Sequence, residues 1–145
     1  MIDDSLRMVP DEHQPLLLIL ARNLVTNLAL PALLTDADAR LIFFNEAAAL
    51  ILGQRFEEVG RLRRDERATR FGPFDDEGHP EATDSLPLAV ALRDGRPSQA
   101  RFRICAYDQR TVEVEATAVP LIDPDHFEGA LVVFWPVDAA TDATD

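Results

Sequence analysis

The run GALVVFW, residues 129–135, carries no polar side chain. Successive side chains of a strand point to opposite faces, so a strand apolar throughout has to be covered on both. A chain that contains such a strand must place a layer on each side of its sheet. The two strands expected before it are one-sided. Residues 101–105 set Phe102 and Ile104 on one face, and residues 111–121 set Val112, Val114, Ala116 and Ala118 against Glu113, Glu115 and Thr117, the period-two pattern of a half-buried strand. Short turns join these strands, which predicts an antiparallel meander. Pro136 ends the last of them.

A cover for the outer face stands near the start of the chain. Pro15 suits the first turn of a helix, where a backbone amide would be unpaired in any case. From residue 17 to 29, Leu17, Leu18, Leu20, Ala21, Leu24, Val25, Leu28 and Ala29 fill one side of a helical wheel. Arg22, Asn23, Thr26 and Asn27 fill the other. The apolar sector spans about half the circumference, wider than the ~100° stripe that docks a surface helix on one core. Either the helix is deeply buried, or it meets its own sheet and a second subunit together. A helix that precedes a small domain has few ways to bury two sides alone, so we expect a dimer contact. Its candidates are Leu17, Leu20, Ala21, Leu24, Val25 and Leu28, with Leu131, Val133 and Trp135 of the apolar strand.

Between these elements, residues 33–53 (LLTDADARLIFFNEAAALILG) read as a hairpin followed by a helix. Asp-Ala-Asp-Ala-Arg supplies turn residues between two breaker-free apolar runs. Asn45 is placed to cap the free amides of the helix that Gly53 ends. A short helix or turn follows at 54–60. Residues 61–70 (RLRRDERATR) hold five Arg and read as a solvated helix face with ion pairs to Asp65 and Glu66, or as an anion site. Gly and Pro make 71–80 a loop. Asp84 or Ser85 then caps a helix with Pro87 in its first turn, and Asp94-Gly95 ends it. The expected architecture is α+β. A five-stranded antiparallel sheet, with the first hairpin beside the last strand, carries the short helices on one face and the N-terminal helix on the other. The short helices leave space for a cavity against the sheet.

This ordered set resembles the PAS domain family. The opening LLTDADARLIFFNEAAALILG is similar to its strand, acidic turn, strand and Asn-led helix, and SLPLAVALRDGRP, RFRICAYD, TVEVEATAVPLI and EGALVVFWPV are similar to its second half. The resemblance spans roughly residues 16–137 and implies a PAS-like domain over 31–137. The helix at 15–30 precedes it, between a flexible segment at 1–14 and a disordered acidic tail at 138–145. Where such domains commonly carry Asp-Gly turns, this chain has Asp38-Ala39, Asp108-Gln109 and Asp125-His126. Because a side chain disfavours positive φ, these turns are expected to be longer or of another type.

By resemblance, the function is that of a non-enzymatic sensory or adaptor module in bacterial signalling. It would bind a small apolar ligand, such as a fatty acid or an aromatic metabolite, or pair through its N-terminal helix and outer sheet face. No output domain is recognisable in the chain, so a signal is expected to pass to a separate protein. Strand phase and the resemblance together nominate Phe43, Phe71, Leu88, Leu92, Phe102, Ile104, Val114, Ala116, Val132 and Phe134 as cavity walls. The same residues would also serve as a filled core. Asn45 is either a cap alone or an amide facing that cavity. Small Ala116 and Ala118 favour unfilled volume.

Composition narrows the partners. A net charge of −12, from 26 acidic and 14 basic residues, argues against nucleic acid and against anionic membranes. All basic residues are Arg, which reads as the codon bias of a GC-rich bacterial genome. A single Cys excludes an internal disulfide and fits the reducing cytoplasm. The apolar run 16–30 follows acidic residues and is interrupted by Arg22, Asn23 and Asn27, unlike a signal peptide or a span of ~20 apolar residues.

No cofactor is identified. The family's blue-light members bond flavin through an Asn-Cys-Arg-Phe motif that is absent here, and Cys105 reads as an idle thiol. Haem is disfavoured because His13, His79 and His126 fall in a terminal segment and two turns, which also leaves no cluster at metal-site spacing. Ser85 has no neighbouring His or acid for nucleophilic catalysis. Two alternatives stand beside the sensor. One is a structural dimerisation domain with a filled core. The other is a cone-shaped isomerase-like enzyme, which needs a buried acid at its cavity.

Overall fold

A computed structural model describes residues 16–63, 66–67, 70–72, 74, 86–123 and 126–137. Five strands form one antiparallel sheet: β1 (Ala32–Asp36), β2 (Leu41–Phe44), β3 (Ser98–Cys105), β4 (Thr111–Asp123) and β5 (His126–Pro136). Their spatial order is β2-β1-β5-β4-β3. The late meander and the first hairpin thus meet along β1 and β5, as the sequence predicts. The apolar strand β5 lies in the middle, which explains its lack of alternation. It has a layer above it and a layer below.

The outer layer is α1 (Leu16–Thr26), with Leu18, Ala21 and Val25 buried. These three pack with Ala32, Leu34, Ile42 and Phe43 into one core cluster, joined by half-buried Leu28 and Leu131. Ala21 and Val25, nominated for a subunit contact, therefore seat the helix on its own sheet. Leu20 and Leu24 face away and are exposed. The helix ends at Thr26, short of the expected 29, and the amides of Asn27 and Leu28 tighten onto the carbonyls of Leu24 and Val25.

The inner layer holds α2 (Glu46–Leu52), α3 (Phe56–Val59) and α4 (Pro87–Asp94). Asn45 caps α2 by accepting from the Ala48 amide, and Gly53 closes it in the left-handed region, as local sequence predicts. For α4 the N-cap position is Leu86, without a side-chain cap, and Pro87 starts the helix. Asp84 and Ser85, nominated for that cap, lie outside the described residues. So do the segments 1–14 and 138–145, His13, His79 and Asp65.

Two hairpin turns correct the expectation from their missing glycines. Ala39 and Gln109 adopt positive φ of 66° and 73° themselves, so the compact turns survive with Ala and Gln in the left-handed position. Side-chain bonds stabilise that geometry. Asp36 Oδ1 accepts from the amides of Asp38 and Arg40 at 2.9 and 3.0 Å, and Asp108 Oδ1 accepts from the Arg110 amide at 3.2 Å. The guanidinium of Arg110 beside Asp108 holds its carboxyl below the ordinary carboxylate range. At the third turn, β4 runs to Asp123 and β5 begins at His126, so His126 opens a strand.

Candidate functional site

Between the inner face of the sheet, α4 and the end of α2 lies a partly open cavity of about 680 Å³. Its floor follows from strand register. Ala118, Val132, Leu33 and Phe44 stand in one cross-strand row, and Ala116 pairs with Phe134 in another. The methyl group of Ala116 keeps the floor low between larger neighbours, while Ala118 packs within the core cluster outside the lining. Leu88 and Leu92 of α4, Leu52 of α2, and Phe71 supply walls. Phe102, Ile104 and Val114 extend the lining along β3 and β4.

Nine of the nominated residues, Phe71, Leu88, Leu92, Phe102, Ile104, Val114, Ala116, Val132 and Phe134, line this space. Phe43 and Asn45 do not. Leu33 pairs with Phe44, Leu34 with Phe43, and Thr35 with Leu41. Ile42 is therefore an extra residue, a bulge that interrupts strict alternation. The consequence is that Leu41 and Phe44 belong to the inner cluster, whereas Ile42 and Phe43 belong to the outer one. A strand read without the bulge selects Phe43 and misses Phe44.

Phe43 instead anchors α1. The Arg22 guanidinium lies 4.3 Å from its ring centroid, an attractive cation–π distance. Phe56 meets both Phe43 and Phe44 edge-on, each at 5.4 Å between centroids.

Asn45, 3% exposed, connects three elements. Its Oδ1 accepts from the amides of Ala48 at 2.9 Å and Ala32 at 3.1 Å. Its Nδ2 donates to the carbonyls of Val25 at 3.0 Å and Leu30 at 2.9 Å. One amide therefore caps α2, holds the start of β1, and ties down the Val25 carbonyl in the last turn of α1 and the Leu30 carbonyl just beyond it. The capping role is visible in sequence, whereas the hold on α1 depends on residues up to 20 positions away.

Among the described residues, three charged side chains border the cavity: Asp38, Arg67 and Arg93. Asp38, in a turn, and Arg93, in the last turn of α4, were not nominated, whereas Arg67 belongs to the Arg-rich segment read as a solvated helix face or an anion site. Arg67 shares a helical turn with Phe71, whose amide bonds its carbonyl at 2.8 Å. Arg63, exposed, pairs with Glu66 at 3.5 Å, so part of the Arg-rich segment does form a solvated ion-paired face while Arg67 turns to the cavity. Arg93 Nε bonds Asp94 at 2.9 Å and holds that carboxyl below the usual carboxylate range.

A catalytic carboxylate at an apolar cavity has to be desolvated. Glu128 is buried at 7% exposure but is not a lining residue. Asp38 lines the space with its side chain 80% exposed, 3.6 Å from Arg40. Cys105 is half-buried with its Sγ 3.4 Å from the Ala106 carbonyl, also outside the lining. Among the described residues, no group of His, Cys, Asp and Glu is placed to hold a metal ion, and no helix is long and apolar enough to cross a membrane.

No family model and no curated protein matches the chain. Solved structures do. The PAS domain of a protein from Colwellia psychrerythraea superposes with a TM-score of 0.59 and 14% identity, over 83% of this chain and 96% of that one. The PAS domain of Bordetella pertussis BvgS gives 0.57 and 15% over 88% and 90% of the two chains. That of nitrogen regulation protein NR(II) from Vibrio parahaemolyticus gives 0.57 and 17% over 79% and 95%. At such identities the likeness speaks for the fold and leaves function to the site. The chain has the fold of a PAS domain.

Proposed function

We propose that this chain is a non-enzymatic sensory module of bacterial signal transduction, working in the cytoplasm. It takes a small apolar ligand into its cavity, pairs with a second copy through α1, and relays occupancy to a separate protein. The observation that carries the reading is the cavity. About 680 Å³ lined mainly by apolar side chains falls within the roughly 300–1,000 Å³ of small-molecule sites. That volume argues against a dimerisation domain with a filled core. The absence of a buried acid from the described lining argues against an isomerase-like enzyme.

Pairing rests on the solvent side of α1. Leu16, Leu20 and Leu24 are 68%, 55% and 54% exposed and recur every fourth residue, which makes one stripe of the helix surface. Half-buried Leu17 flanks the stripe, and half-buried Val133 and Trp135 lie on β5. Replacing Leu24 by Asp should give a folded monomer, and an unchanged dimer by light scattering would defeat this part of the reading.

Native mass spectrometry followed by denaturing extraction tests the whole. The expected result is a dimer carrying a stoichiometric small molecule. A protein that arrives empty and binds nothing from a panel of apolar metabolites would overturn the sensory reading.

A further inference from the structure

A second hollow, of about 270 Å³, lies where α1 meets α2 and α3, with Phe43, Phe44 and Phe56 among its walls. Among the described residues it shares only Phe44 with the lining of the main cavity. What it binds therefore does not depend on what the main cavity holds. Two arginines border it, and their surroundings differ. Arg55 bonds Glu46 at 3.1 Å and lies 3.9 Å from Glu57, so these three exposed side chains neutralise one another at the rim. Arg22 is half-buried. Its guanidinium carbon lies 4.3 Å from the Phe43 ring centroid and 6.0 Å from that of Phe56, and among the described residues no oxygen accepts a hydrogen bond from it.

Stacking on a ring uses the face of a guanidinium, whereas its N–H donors lie in the plane of the group. The Phe43 contact therefore fixes the cation at the hollow and leaves its donor edge to a ligand. That edge matches the two coplanar oxygens of a carboxylate, and a charge-assisted bond gains strength where water is partly excluded. Glu46 and Glu57 limit how much charge can enter. Arg22 balances one negative charge, but the second charge of a dianion would be repelled by both glutamates. We infer that this hollow is a second ligand site, which takes a small monocarboxylate with its head on Arg22 and a flat apolar body beside Phe44 and Phe56.

The test uses benzoate, benzyl alcohol and sulfate, titrated separately into the full chain at constant ionic strength. Proton–nitrogen correlation NMR follows the arginine Nε–H groups, and the Arg22 signal is assigned by its loss in Arg22→Gln. Benzoate should move that signal along a saturating curve, while the alcohol, which has the same ring without the charge, should bind about tenfold or more weakly. Arg22→Lys keeps the charge without the planar fork and should weaken benzoate several-fold, read on the backbone amides of Ala49 and Glu57. An Arg22 signal that benzoate leaves unmoved overturns the inference, whatever the main cavity binds. So does an equal response to the alcohol or to sulfate, or full benzoate affinity in Arg22→Lys. Movement of the Arg67 and Arg93 signals in place of Arg22 puts benzoate in the main cavity, which overturns the second site and leaves the sensory reading standing.

Discussion

Replacing Asn45 by Ala should cost about 3–5 kcal/mol. Loss of a helix N-cap of this kind costs about 1 kcal/mol. The carbonyls of Val25 and Leu30 and the amide of Ala32 also lose their Asn45 partners. The Val25 carbonyl keeps the Leu28 amide, so the Ala32 amide and the Leu30 carbonyl carry the further loss, at roughly 1–3 kcal/mol for a buried polar group left unsatisfied, and local relaxation recovers part of the sum. Against a total stability of roughly 5–15 kcal/mol, the loss should lower the melting temperature by about 10 °C. Thermal and urea unfolding measure it directly. Because an 11-residue helix is marginal without packing, hydrogen exchange should also show α1 losing protection before the sheet does. Asn45→Asp sharpens the argument. The carboxylate retains the acceptor but turns its second oxygen toward two carbonyls, so burial and repulsion raise its pKa above the unfolded value of about 3.9. The folded state then binds the proton more tightly. Its deficit relative to wild type should be largest at neutral pH and shrink as pH falls through the raised pKa toward the unfolded one. Wild-type stability of Asn45→Asp at neutral pH, or a loss under 1 kcal/mol in Asn45→Ala, would refute the account of Asn45 as a three-way clasp.

Other perturbations read separate parts of the fold. A Cβ at Gly129, where φ is 155°, would run into the Thr35 carbonyl and Asp36 backbone, so Gly129→Ala should cost roughly 3 kcal/mol in urea unfolding. Gly53→Ala, left-handed with φ of 83° and ψ of 7° and with only ordinary van der Waals neighbours, should cost only about 1–2 kcal/mol, and equal losses at the two sites would refute the close-approach argument. Gln109→Gly removes a left-handed side chain at an exposed turn and should raise stability by about 0.5 kcal/mol; a clear loss would mean the Gln side chain contributes to the turn. Ala116→Leu fills the cavity floor. It should abolish ligand retention in native mass spectrometry while leaving the proposed pairing through α1 unchanged, and retained ligand would place the site elsewhere.

Much of the layering is legible because its signals are local. The apolar β5 announces a central position, the alternation of β4 assigns Val114, Ala116 and Ala118 to the inner face, and Asn45 and Gly53 mark the ends of α2. Pro87 and Gly95 do the same for α4. The cavity list fails at β2, where all four residues are buried and no polar residue reports the phase. There the bulge at Ile42 decides, and it arises from pairing with β1.

The sequence by itself determines the order of elements, the sheet's neighbours and which strand needs two covers, since periodicity and caps act within a few residues. Tertiary structure alone decides that Phe44 replaces Phe43 at the cavity, that Ala21 and Val25 seat α1 on its own sheet, and that Asn45 holds the end of α1. It also brings Arg67, from a charge-rich segment, to an apolar wall. Each of these rests on contacts between residues distant in the chain, whose geometry is set only when the layers close on one another.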